Sequence, residues 1–366
     1  MLKQNLKKTI SKIVFTFNKN LKVLLLLTLP FIIQFSCNPA EPPDSTGQDT
    51  TSHNFTWQNF TFGGAATSSL FDVAIIDENN IWAVGEIYMN DSLGNPDPIV
   101  YNAVHWDGTN WNPLKISVSY NGNETISPLK GILVLHTGEI ILSSGLPYLP
   151  QGNSWKLYHL WDMGVLHQND GGVDHIWGSS MHDLFFVGYK GSIVHFDGTN
   201  WQKIESGTTL NINDVWGNVE NNITTVLAAA SNLGTTDEKK LLRIQGTKID
   251  TIDWTPQRTL YTVWFNSLNT IYAGGDGLYF KTQNGWETNN ALQAYFSFRV
   301  RGTANNNVIA AGGFGFAAHF NGANWKVLDD VALVSGNYYG LDVKGKITAL
   351  VGSNGSSAII TIGKQQ

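Results

Sequence analysis

VDHIWGSSMHDLFFVG (Val173–Gly188), followed by VHFDGTNW (Val194–Trp201), is the stretch that decides the fold. The first segment is two β-rich runs joined by a short polar turn, and the second run ends on Gly188. The other segment carries Asp197-Gly198, a strong signal for a two-residue hairpin because such turns need positive φ. Together they describe four strands. The paired run recurs as Leu70–Gly85, Leu129–Gly145, Ile212–Ala229, Leu260–Gly275, Ser297–Gly313 and Tyr338–Gly352. The Trp-led hairpin recurs as Val104–Trp111 and Ala318–Trp325, with Gly285-Trp286 as a shortened copy. The repeat length is about 45 residues, the period of a four-stranded propeller blade. The sequence therefore predicts an all-β, seven-bladed β-propeller over residues 54–366.

The seventh copy stops early: after a third strand at Ser357–Ile362 only Gly363, Lys364, Gln365 and Gln366 follow. A matching strand stands at the other end of the domain. Trp57-Gln58-Asn59-Phe60 aligns with Trp201-Gln202-Lys203-Ile204 in its Trp, Gln and apolar positions. The N-terminal strand is thus expected to complete the last blade and close the ring, leaving only short, protected edges.

Ahead of the repeats, Lys3, Lys7, Lys8, Lys12, Lys19 and Lys22 precede the apolar run Val23–Ile33. That run is too short for a spanning helix, which needs about 20 residues, and reads as the core of a secretory signal. Gln34-Phe35-Ser36-Cys37 resembles a bacterial lipobox, which implies diacylation of Cys37, the single cysteine. Residues 1–36 are then a lipoprotein signal peptide, and residues 37–53, polar and Pro-rich, a tether. The expected location is the bacterial cell envelope, at the outer membrane or cell surface, with the membrane reached through the lipid anchor. Removing six of the 23 basic residues leaves 17 against 29 acids, a balance of −12. With only Arg243, Arg258, Arg299 and Arg301, such a surface argues against nucleic acid.

The elements DVWG, AVG and FDGTNW resemble those of photosystem-II-assembly-factor-like propellers and of the Asp-box (BNR-like) superfamily. The resemblance implies the propeller architecture; it leaves function open, since such folds host many roles. Asp197–Trp201 is one residue shorter than an Asp-box, a departure that weakens a link to sialidases.

Candidate chemistry is sparse. His105, His195 and His319 occupy one repeat position in three blades, far apart around a ring, so they read as turn supports. The equivalent Trp111, Trp201 and Trp325 read as packing between blades. Asn90, Asp91, Asn95 and Asp97 read as an ordinary solvated loop. No cofactor or metal is expected. Asp72, Gly131, His175, Asp214, Thr262, Arg299 and Gly340 share one position in the first strands and are expected to ring the channel, where a ligand or water would meet them. Long connections at Glu86–Pro98, Ser117–Pro128, Gly145–Ser154 and Ser231–Glu238 share one face, and Tyr88, Tyr120 and Tyr148 are the expected contacts there. The leading reading is a monomeric, non-enzymatic binding module for a protein or glycan. Two others stay open: a glycosidase or lyase using Asp72 and Asp214, and an envelope assembly factor.

Overall fold

The computed structural model describes residues 49–235, 238–331 and 335–366. Cys37, the expected signal peptide and the expected tether up to residue 48 lie outside the described residues. No helix among the described residues is long and apolar enough to cross a membrane.

Seven antiparallel four-stranded sheets form the domain. Blade three is the plainest, with strands Val173–Ser180, Asp183–Gly188, Ile193–Phe196 and Trp201–Ile204 in sequence order. Neighbouring first strands touch in cyclic order, and the first strand of blade seven (Asn337–Lys344) returns to that of blade one (Ser69–Asp77). Blade seven takes its outer strand from Phe55–Phe62, which runs antiparallel to Ser357–Gln365 with Phe55 opposite Gln365 and Phe62 opposite Ala358. The expected closure is therefore present.

Apolar side chains collect in seven separate cores, one at each seam. Leu70, Val73 and Ile81 of blade one, for example, pack on Val351, Ala358 and Ile360 of blade seven. Trp177 and Phe185 of blade three pack on Val215 and Val226 of blade four. Every blade is a wall of two cores, which is how aromatic and branched residues on both faces of each sheet become buried.

One local device repeats. Six first strands carry a β-bulge near their start, at Leu70/Asp72, Val173/His175, Ile212/Asp214, Leu260/Thr262, Ser297/Arg299 and Tyr338/Gly340. The bulge pushes the backbone toward the end of the second strand. There a Cβ on Gly85, Gly188, Gly312 or Gly352 would run into the carbonyl of Ser69, Gly172, Phe296 or Asn337. At these four positions glycine permits the close approach, whereas blade four places Ala230 at the equivalent pairing.

The equivalent histidines are turn supports, as expected. Nε2 of His105, His195 and His319 meets Oδ1 of Asn80, Asp183 and Asn307, the residue opening the second strand of each blade, at 2.9, 2.9 and 3.0 Å. His319 is fully buried, and burial, reinforced by His53, pushes it down to about 3. His53 Nδ1 sits 2.9 Å from His319 Nδ1, and the Thr51 amide donates to the Asn321 carbonyl. The chain before the closing strand is thereby strapped to blade six. Asp91 Oδ1 accepts from the amides of Leu93 and Asn95, and Asp97 pairs with Lys115, so that loop builds its own turns.

Two expectations about the loop face are corrected. Gly145–Ser154 is not one long loop, because Pro147–Gln151 is the third strand of blade two. Pro147 is tolerated as a first strand residue, and Pro150 lies beyond the pairing with the second strand, which ends at Tyr148. Tyr148 is therefore a buried core residue at the seam of blades one and two.

Candidate functional site

Antiparallel order places the start of each first strand on the same face as the connections between second and third strands. On that face the bulges decide what the channel presents. The extra residue of each bulge is Phe71, Asp174, Asn213, Tyr261, Phe298 or Tyr339, with Lys130 at the equivalent place in blade two. A bulge re-aims the side chain it carries. Here six of these seven side chains, Asn213 excepted, line a cavity of about 370 Å³ at the channel mouth.

Blades five, six, seven and one supply an arc of half-buried rings. Tyr261 meets Phe298 edge to face at 5.3 Å, Phe298 meets Tyr339 at 5.3 Å, and Tyr339 meets Phe71 at 6.2 Å. Lys130 Nζ caps the arc 3.5 Å from the Phe71 centroid. The remaining blades make the mouth polar, through Asp174 and Asn213. A second cavity of about 360 Å³ shares Asp174, His175, Tyr189 and Tyr261 and extends over blades three and four to Asn213 and Leu233. Burial raises the Asp174 carboxyl, whose Oδ1 accepts from the Gly145 amide at 2.8 Å.

Beneath the mouth the channel is filled by an ionic cluster. Asp214 Oδ1 takes Arg299 Nη1 and Arg301 Nη2, both at 2.7 Å. Its Oδ2 takes Arg301 Nη1 at 2.9 Å, the Thr262 hydroxyl at 2.6 Å and the Val263 amide at 3.1 Å. The Val215 amide adds a bond of 3.0 Å to Oδ1. Burial alone would raise this carboxyl, but Arg301 and Arg299 hold it well below the usual carboxylate range. Burial, with Arg299 nearby, pushes His175 down to about 3. Asp72 and Asp342 repeat the backbone part of the pattern on other seams. Asp72 accepts from the Val73 and Ile132 amides, and Asp342 from the Val343 and Ile75 amides. Burial raises both carboxyls.

The residues of the expected channel ring, Asp72, His175, Asp214, Thr262 and Arg299, all lie on first strands. Its polar members mostly bind one another or the backbone of the next blade. Asp214 has both oxygens committed, which leaves it no lone pair for acid–base chemistry with Asp72. The expected loop-face tyrosines do not converge on one patch. The Tyr120 hydroxyl donates to Asp162 and its ring stacks on His159, the Tyr88 backbone is tied to Ser68, and Tyr148 is in the core. Among the described residues, no group of three or more His, Cys, Asp or Glu is placed to hold a metal.

The bulged residues were missed as a site, although a signal exists. The buried apolar positions step from Leu70 to Val73, from Ile212 to Val215 and from Leu260 to Val263. Strict alternation steps by two, so each of these intervals carries one extra residue.

No protein-family model and no curated protein matches the sequence. Solved structures do. "YCF48 bound to D1 peptide" aligns at a TM-score of 0.60 and 16% identity, covering 89% of this chain and 99% of the other. YCF48 from Cyanidioschyzon merolae aligns at 0.57 and 16%, covering 84% and 98%. The WD40 β-propeller domain of Doa1 aligns at 0.55 and 11%, covering 85% and 97%. At such identities the likeness shows the shared propeller fold.

Proposed function

We propose that this chain is a lipid-anchored, non-enzymatic binding module of the bacterial cell envelope, and that its aromatic channel mouth captures an extended polypeptide segment. The arc Phe71–Tyr339–Phe298–Tyr261, presented by bulges on four successive blades, carries this reading. Half-exposed rings beside Lys130, Asp174 and Asn213 offer apolar anchors and backbone hydrogen-bonding partners side by side. Six of the nine exposed large apolar side chains among the described residues lie on this face: Leu93, Ile99, Met163, Tyr189, Leu233 and Phe314. Phe314 is 90% exposed at a left-handed φ of 55°, a costly placement for a bulky residue unless its ring has a use. YCF48 has been solved bound to a D1 peptide, which fits the same use of the fold. Service as an assembly factor would draw on the same capture chemistry.

The test is selection of a phage-displayed random peptide library on the folded domain. Enriched peptides should bind the Phe71→Ala/Phe298→Ala/Tyr339→Ala variant at least roughly thirty-fold more weakly, the loss of about 2 kcal/mol typical of a hot spot. The melting temperature should change little. Equal binding by both proteins would remove the mouth as the site. For the anchor, labelled palmitate should enter the wild type in its bacterial host, and Cys37→Ser should abolish the label and release the protein from membranes. Label persisting in that variant would end the lipoprotein reading.

A further inference from the structure

A further cavity lies away from the channel. It is a cleft of about 430 Å³ at the seam of blades seven and one, on the face opposite the aromatic mouth. Its size falls within the usual range for small-molecule sites, about 300–1,000 Å³. We propose that this cleft binds a neutral pyranose unit of a saccharide.

Three rings form the wall. Trp106 and Trp111 lie 5.5 Å apart, and Phe60 of the closing strand lies 5.6 Å from Trp111 and 6.2 Å from Trp106. All three are only partly buried, so their surface is open to an occupant. Around them stand groups that donate and accept. Gln58 is exposed on the closing strand beside Thr56, and both side chains offer a donor and an acceptor. Glu78 and Lys364 face each other at 3.3 Å, with side chains 61% and 59% exposed. An exposed pair of this kind is held weakly and exchanges partners readily.

The combination selects a chemical class. The rings are tilted by 40–56° to one another, so a single open ring face matches the C–H face of a pyranose, while the amide, hydroxyl, carboxylate and ammonium match its hydroxyl edge. One anion against one cation gives the cleft no net charge to attract phosphate or sulfate. Glu78 is the single carboxylate lining it, whereas glycoside hydrolysis ordinarily uses two, so the site holds the sugar without cutting it.

The location adds a readout. An occupant touches the closing strand through Thr56, Gln58 and Phe60 and blade one through Glu78, Trp106 and Trp111. It therefore bridges the seam that closes the ring, and binding to the folded state raises its stability. The experiment screens the full mature chain by thermal shift, then by calorimetry, against neutral hexose and N-acetylhexosamine oligosaccharides. At least one should raise the melting temperature by several degrees at saturation. Trp106→Ala should abolish the shift. Gln58→Ala, at an exposed position, should keep the fold and weaken affinity by about tenfold. The triple variant of the aromatic mouth should bind the sugar normally, which separates this site from the polypeptide site. The proposal is overturned if no oligosaccharide shifts the wild type, if sulfated sugars are preferred over neutral ones, or if Gln58→Ala and Trp106→Ala both bind as tightly as the wild type.

Discussion

Asp214→Ala is expected to cost the domain about 3–5 kcal/mol, enough to threaten folding when total stability is about 5–15 kcal/mol. The carboxylate is 1% exposed and is the shared partner of Arg299 and Arg301, which are themselves buried. Removing it leaves two buried cations without their shared counter-charge. Arg299 Nε has no hydrogen-bond partner among the described residues. The Thr262 hydroxyl and the Val263 amide lose their acceptor as well, and these belong to the next blade. The damage therefore crosses a seam. The contribution of this pairing to stability is complete from neutral pH down to the unfolded carboxylate value near 3.8 and is lost as the pH falls from there through the depressed folded value. Urea titration of the wild type and the variant measures the loss. A companion variant, Asp214→Leu with Arg299→Met and Arg301→Met, should recover much of it, since replacing a whole buried ionic triad by apolar residues is commonly neutral or better. A loss below about 1 kcal/mol in Asp214→Ala would show that the channel cluster does not hold the inner strands together.

Deleting Phe55–Phe62 is expected to abolish cooperative folding of the whole domain. The strand is opposite Ser357–Gln365 along its full length. Phe55 and Trp57 enter the core between blades six and seven, while Phe60 and Phe62 pack against the core between blades seven and one. At about 1.5–3 kcal/mol for each large apolar side chain when fully buried, the four approach the total stability of a domain. Their partial exposure places them toward the low end. The deletion also strips both walls of blade seven, and each neighbouring blade then loses a partner. Circular dichroism melting of the deletion and of Thr61→Ala, an exposed change on the same strand, separates loss of the strand from perturbation of its surface. A preserved melting transition after deletion would mean that blade seven closes without its fourth strand.

Much of this was legible in the chain. A four-strand unit repeated seven times cannot bury its faces alone, so the repeats had to stack. A missing outer strand at one end and a spare one at the other had to meet. Glycine near the end of most second strands was legible as a pattern, and the bulge opposite it was written in the Leu70-to-Val73 step. Tyr148 was misread because Pro147 and Pro150 look like loop residues, and only the pairing register shows that neither one blocks a needed hydrogen bond. What the tertiary structure alone decided is the meeting of distant residues. Asp214 and Arg301 are 87 positions apart, and no local pattern links them. Ring closure brings blades four and six within reach of one carboxylate. Likewise Phe71 joins Tyr339 across the seam where the chain's two ends close the ring. Periodicity determines which residues are equivalent; the curvature of the ring determines which of those equivalents touch.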